Sequence, residues 1–233
     1  MGDLYGGHDP RDIPTYSIGY AARCLRIPAA TIRSWTVGQT YPVAKGERFF
    51  QPLIPIADRK PRQLSFTNLI ELHVLRAIRK HHQLKLSAVR QALDFIDQHF
   101  KIDHPLAREQ FRTDGVDLFI DRYGEIINVS RQGQLDLRNS LNAHLERIQP
   151  DDSGFAIKLY PFTRSDEAHN PKIVVIDPRI AFGRLVIAGT GIPTHIIAER
   201  YKAGDSLQDL VDDYECEPSQ IEEAIRCELP VAA

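Results

Sequence analysis

Apolar residues recur along most of this chain at three- and four-residue intervals, with short alternating runs between them. That rhythm predicts a mainly α protein with small β elements, an α+β fold. Ile18, Ala21, Ala22 and Leu25 line one face of a short helix capped by Ser17. Arg26-Ile27-Pro28 turns the chain. Pro28 suits the start of a second helix, Ala29 to Trp35, because its missing N–H is not needed there. Residues 38–64 are rich in Gly, Pro, Lys and Arg. The Gly-centred turn and aromatics of Lys45-Gly46-Glu47-Arg48-Phe49-Phe50 predict a small β-hairpin, with Arg59-Lys60-Pro61-Arg62 beyond it. Ser65 and Thr67 then cap a long amphipathic helix. Its Leu69, Ile70, Leu72, Leu75 and Ile78 face the core, and Arg76, Arg79 and Lys80 face out. Ser87 starts another helix through Val89, Leu93 and Ile96.

In the middle of the chain, Val116, Leu118 and Ile120 precede Asp121-Arg122-Tyr123-Gly124, and Ile126, Ile127 and Val129 follow it. Apolar runs around such a turn predict a second hairpin. Leu137, Leu141, Leu145 and Ile148 line a helix, and Phe155, Ile157 and Leu159 alternate as a strand. Further on, Lys172 to Pro178 and Arg184 to Ile187 read as the two strands of a ribbon. Ala188-Gly189-Thr190-Gly191-Ile192-Pro193 leads into a helix with Thr194 as its N-cap. Gly204 ends that helix, Ser206-x-x-Asp209 opens the next in capping-box style, and Ser219-x-x-Glu222 opens the last. The expected organisation is a helix-turn-helix segment over 1–103, a small α/β connecting or dimerisation segment over 104–168, and a ribbon with three helices over 169–233.

Length and composition narrow the class. The 233 residues are 42% hydrophobic and 26% charged, which fits a soluble globular chain and excludes disorder or a collagen repeat. No run approaches the roughly 20 apolar residues of a membrane helix. Met1-Gly2-Asp3-Leu4 lacks the basic and apolar regions of a signal peptide, so a cytoplasmic location is expected. Cys24, Cys216 and Cys227 are too few for a disulfide framework.

Charge changes the picture more. Residues 11–90 hold 14 Lys and Arg against 4 Asp and Glu, whereas residues 150–233 hold 8 against 15. A basic front and an acidic back suggest two different partners, the front one a polyanion. Two short helices joined by a tight turn in that basic setting form a helix-turn-helix. On its second helix Arg33 suits phosphate or guanine, and Thr31 and Ser34 suit phosphates or base edges. Arg33 as a plain surface charge and Trp35 as a core anchor stay open at this point. The hairpin's basic tip can lie along a phosphate strand.

The order Tyr16-Ser17-Ile18-Gly19-x-x-Ala22, a turn, Thr31-Ile32-Arg33-Ser34-Trp35, a wing, a long helix, then Leu84-x-Leu86-Ser87-x-Val89-x-x-Ala92-Leu93 resembles the MerR-type winged helix-turn-helix. That resemblance implies a major-groove helix, with Arg33 and Trp35 at the family's backbone-contacting positions. The resulting DNA-contact set is Tyr16, Thr31, Arg33, Ser34, Trp35, Lys45 and Arg48. Pro105 and Gly115 interrupt the region where the family's long dimer helix would run.

Catalysis is not expected. His99, His104, Asp97 and Asp103, the pair His81-His82, and Cys216 with Cys227 do not converge on metal-ligand or nucleophile spacing. Cys24 reads as a small core residue. Gly189-Thr190-Gly191 reads as a tight turn, since no Lys-Ser/Thr pair follows it as a phosphate loop requires. No cofactor or metal is expected.

The last third carries a second resemblance. Ile173-x-x-Ile176-Asp177-Pro178, a strand, Ala188-Gly189-Thr190-x-Ile192-Pro193, a helix, Ala203-Gly204-Asp205-Ser206-Leu207-x-x-Leu210, then Asp213-Tyr214 and Ile221-x-x-Ala224-Ile225 are similar to a small helical domain of VapB-type antitoxins in VapBC-like toxin–antitoxin pairs. Gly191 stands where that family usually has Arg, whose role would pass to Arg179 or Arg184. The resemblance implies a PIN-like ribonuclease toxin as partner. A ribonuclease holds RNA on a basic surface, so an acidic inhibitor fits it. Asp205, Asp209, Asp212, Asp213, Glu215, Glu217, Glu222 and Glu223 supply acidity. The toxin-contact set is Arg179, Arg184, Thr190, Ile192, Asp205, Asp209, Asp212 and Asp213. Together the two resemblances imply a homodimeric, operator-binding antitoxin. The alternative is a stand-alone MerR-like regulator whose C-terminal domain senses or oligomerises.

Overall fold

The computed structural model describes residues 5–43, 46–56, 62–79, 86–167 and 169–229. Helices dominate, with small antiparallel sheets, so the fold is α+β and mainly α. The chain divides into two compact units, residues 1–157 and 158–233.

In the first unit, α1 (Ile18–Leu25) begins at Ser17, whose hydroxyl accepts a hydrogen bond from the Tyr20 N–H. It ends at Arg26, held in the left-handed region. α2 (Ala29–Thr36) follows directly after Pro28. The expected wing is present as β1 (Gln39–Val43) paired antiparallel with β2 (Gly46–Phe50), Tyr41 opposite Arg48. Gly38, just before it, has φ +90°, and a Cβ there would collide with the Phe49 ring and the Phe50 carbonyl. The Leu53 and Ile54 N–H groups donate to the Trp35 carbonyl at 2.7 and 3.0 Å, tying the wing's exit to the end of α2. Arg90 reinforces the junction, donating to the Gln51 and Pro52 carbonyls and lying over the Phe50 ring.

The axis of this unit is α3 (Phe66–Arg79). Ser65 and Asn68 exchange side-chain–backbone bonds across its first turn. Its sequence predicts one buried face, yet Phe66 through Leu75 are buried all round, because other helices cover both flanks. α1 packs on one part of it and α6 (Arg131–Leu145) on another. α4 (Leu86–Phe100) in turn receives α5 (Val116–Ile127).

α5 overturns the expected hairpin at 116–129. Val116, Phe119, Ile120 and Tyr123 fall at helical spacing and are all buried, and that pattern prevails over the glycine. Gly124 sits inside the helix, where a Cβ would meet the Gln134 amide of α6 at 2.8 Å, so it permits close helix contact rather than a turn. The reversal is made instead by Asn128, left-handed at φ 53°, whose N–H bonds the Gly124 carbonyl. Two further strands, β3 (Ile148–Pro150) and β4 (Ala156–Leu159), close the middle segment.

The second unit holds β5 (Val174–Ile176) and β6 (Leu185–Ile187), with Val175 opposite Val186. The expected two-stranded ribbon is thus wider, since Leu159 of β4 pairs with Ile176. Both ribbon strands are fully buried, which lets them read as continuous apolar runs. α7 (Thr194–Ala203), α8 (Leu207–Tyr214) and α9 (Pro218–Glu228) complete the unit. Its core joins Ile187, Ile197, Leu210, Ile221, Ala224 and Ile225. Two expected caps differ. Pro193, not Thr194, occupies the N-cap of α7. Glu217 with Gln220, rather than Ser219 with Glu222, forms the capping box of α9. Among the described residues no helix is long and apolar enough to cross a membrane.

Candidate functional site

The first candidate surface is built on α2 and the wing. Arg33 projects from α2 into solvent, Ser34 and Thr31 are half-buried beside it, and Arg48 is exposed on β2. Among the described residues neither Arg33 nor Arg48 has a carboxylate partner, so both charges face outward unneutralised. Lys45 lies outside the described residues.

Tyr16 and Trp35 stand apart from the others. Tyr16 is 4% exposed and forms an antiparallel bridge with Leu64. Trp35 is 3% exposed, with its carbonyl holding the wing's exit. Trp35 therefore fits the core-anchor reading, and both rings belong to the core of the first unit. Arg79 joins this surface although its sequence position marked it only as outward-facing. Its guanidinium donates to the Thr31 hydroxyl and lies 5.7 Å from the Trp35 ring centroid.

The second candidate surface lies on the C-terminal unit. Asp177 is fully buried and accepts from the Arg179 backbone N–H, Nε and Nη2 at 2.8–3.0 Å. Arg179 is thus committed to a neighbour two residues away. Arg184 is exposed, its Nη1 3.5 Å from His195 Nε2. The Thr190 hydroxyl donates to the Ile187 carbonyl and accepts from the Ile192 N–H, so it builds the turn. Ile192 packs on the core.

The acidic residues divide by environment. Asp205 and Asp213 both bind Arg200 at 2.6 Å, and these contacts push the guanidinium pKa further up. Asp209 closes the capping box with Ser206, whose hydroxyl and N–H hold the carboxyl below its ordinary value. Asp212 accepts from Gln208, and Asp212, Glu215 and Glu222 are exposed. Glu223 is not part of that surface. It is 1% exposed and bonded to Arg164 at 2.7 Å. Burial alone would raise its pKa, but bonds from Arg164 and Thr163 outweigh it and hold the carboxyl low. Thr194 is likewise internal, its hydroxyl bonding Glu228 at 2.7 Å.

Sequence reasoning missed the apolar part of this surface. Ala181, Phe182 and Gly183 are consecutive left-handed residues between β5 and β6, and they present Phe182 at 67% exposure. Ile180 and Ile196 are also exposed. The signal available was a Phe beside a Gly in a short strand connection, a position where an aromatic has no core to enter.

Of the enzyme candidates, Asp97, Asp103 and His104 come together with Glu71 along one cleft, against the expectation that they do not converge. His104 pairs with Glu71 at 2.9 Å, which raises its pKa against the opposing effect of burial. His81 and His82 lie outside the described residues. Cys24 and Cys216 are buried free thiols, and burial pushes the Cys216 thiol up. Among the described residues no group of three or more His, Cys, Asp or Glu could hold a metal ion.

Comparison with known proteins adds to this geometry. Residues 174–226, spanning β5 to α9, match the family described as "Protein of unknown function (DUF433)". The chain is 27% identical over 231 residues to a protein of Mycobacterium tuberculosis (strain ATCC 25618 / H37Rv) named "Putative antitoxin VapB45". That similarity covers 92% of this chain and 93% of the relative. The crystal structure of Rv2018 from Mycobacterium tuberculosis superposes with a TM-score of 0.66 at 24% identity, covering 92% of this chain and 98% of that one. The fold of both units is therefore shared with a solved protein.

Proposed function

We propose that this protein is a DNA-binding antitoxin and not an enzyme. The observation that carries the reading is the near end-to-end similarity to a protein named as an antitoxin. The chemistry of the two surfaces supports it. Segment 1–103 presents Arg33, Ser34, Thr31 and Arg48, with Lys45 in the wing, to the phosphates and base edges of its operator. Tyr16 and Trp35 act by positioning that set. Segment 169–233 presents acidic Asp212, Glu215 and Glu222 to the basic RNA-holding surface of a PIN-like ribonuclease toxin, with Arg184 and Thr190 at its ribbon end. Segment 104–168 connects the two or dimerises. A homodimer on an inverted repeat has half-sites about one helical turn apart, and its affinity falls steeply with salt.

The test is a paired growth assay on the neighbouring open reading frame. Expressed alone, the neighbour arrests growth, and co-expression of the full chain relieves the arrest. The triple variant Asp212→Lys, Glu215→Lys, Glu222→Lys loses relief while staying folded. No arrest, or arrest that the full chain leaves untouched, moves the reading to a stand-alone MerR-like regulator. A footprint on the upstream DNA, lost in Arg33→Ala, tests the DNA half separately.

A further inference from the structure

Behind α2 the first unit holds a cleft of about 400 Å³ between that helix, the C-terminal end of α3 and the start of α4. Its accessible apolar wall is made by Ala30, Leu53 and Leu86, with buried Trp35, Leu75, Ile78 and Val89 behind them. Its rim is polar and carries Thr31, Ser34 and Arg79. The volume lies within the range of small-molecule sites, and so does the pattern of an apolar wall with a few convergent polar groups.

Charge identifies the occupant. Among the described residues that line the cleft, Arg79 is the one charged side chain and none is Asp or Glu. Its guanidinium meets the Thr31 hydroxyl and the Trp35 ring rather than a carboxylate. A guanidinium is a planar fork that pairs best with a carboxylate, through two parallel bonds. A neutral hydroxyl is a weaker partner, and an entering anion displaces it readily. The apolar wall excludes a strongly hydrated inorganic ion and favours a compact ring.

We infer that this cleft is a binding site for a small aromatic monocarboxylate, whose ring rests on Ala30, Leu53 and Leu86 beside Trp35 and whose carboxylate pairs with Arg79. Binding releases Arg79 from Thr31 and places the ligand against the helix that carries Arg33 and Ser34. If α2 reads DNA as proposed above, ligand and operator are thermodynamically coupled, and each changes the other's affinity by the same factor. The occupancy itself does not depend on that reading.

The chain has a single tryptophan, Trp35, so its emission reports the cleft directly. The full chain is titrated with 3-phenylpropionate, with the uncharged 3-phenylpropionamide and with acetate as controls, following Trp35 emission and calorimetric heat in parallel. The expected result is saturable binding of 3-phenylpropionate. The amide and acetate bind at least about ten-fold more weakly, and Arg79→Gln weakens 3-phenylpropionate by about the same factor. Ala30→Phe, which fills the cleft from an exposed position without changing its charge, abolishes binding. No saturable signal by either method overturns the inference, as do equal affinity for the amide and full affinity in folded Arg79→Gln. Loss of coupling to operator DNA with ligand binding intact counts against the DNA reading alone.

Discussion

In the C-terminal unit many of the carboxylates have partners within the unit. Asp177 is bonded to Arg179, Glu223 to Arg164, Asp205 and Asp213 to Arg200, Asp209 to the start of α8, and Glu228 to Thr194. In the N-terminal unit, by contrast, Arg33 and Arg48 stand exposed with no carboxylate opposite them among the described residues. The two opposite net charges therefore mean different things. Arg33 and Arg48 are left to solvent, whereas several carboxylates of the smaller unit are engaged within it. That small unit has a short apolar core, so ion pairs and caps carry a larger share of its definition.

The strongest test of this contrast is in the cores. Phe66→Ala truncates a 0%-exposed ring on α3 and costs about 4 kcal/mol, read as a shift in the urea midpoint. A cost near that of a surface change would mean that α3 is not the axis of its unit. Next in size is Glu223→Gln, which leaves Arg164 without its carboxylate. Arg164 is half exposed and recovers water, so the expected cost is about 2 kcal/mol, below the range for a fully buried pair. If the double variant with Arg164→Ala loses as much as the two single variants added together, the pair is not coupled and the paired reading weakens.

Gly38→Ala follows, with a loss of about 2 kcal/mol, because an alanine is strained at φ +90° and its methyl strikes the Phe49 ring. Footprinting on operator DNA should also weaken, since the wing must move. A neutral result would show that the wing adjusts without cost.

The pH response is the smallest effect near neutrality, and it separates the units. Burial, aided by His144, Arg76 and Arg147, holds His73 of α3 well below its ordinary pKa of 6.5. The unfolded chain therefore takes up the proton first. The stability tied to a neutral His73 is complete above pH 6.5 and declines as pH falls below it. Glu223 is shifted down from 4.5, so its contribution persists to about that pH and is lost as pH falls through the lower folded value. Circular dichroism melts from pH 8 to 3 (a span of roughly the whole titration of both groups) should show the first unit weakening earlier. His73→Leu should flatten the upper limb. Weakening of both units together near pH 4 would remove His73 from the account.

The legibility of the chain follows the range of the interactions involved. Ser17 and Ser206 were readable as caps because the acceptor and the N–H it binds are three residues apart. Two failures have one cause. Around Gly124 a glycine beside charged residues imitates a turn, and only packing against Gln134 of α6 shows why a helix runs through it. At Thr194 a good capping residue is drawn away by Glu228, 34 residues later. The candidate site divides in the same way. The residue types and spacing made Arg33, Ser34 and Thr31 visible, while the burial of Tyr16 and Trp35 depends on Leu64, Leu53 and Ile54.

The sequence by itself determined what is set by neighbours on one strand of chain: helix periodicity, most helix starts, the wing and its glycine, and the charge contrast between front and back. Tertiary structure alone decided which charged groups face water. Burial and pairing are set by residues far apart in the chain, as Arg164 with Glu223 or Arg79 with Thr31 show. Desolvation penalises an unpaired charge so heavily that each such group either finds a partner across the fold or remains outside it.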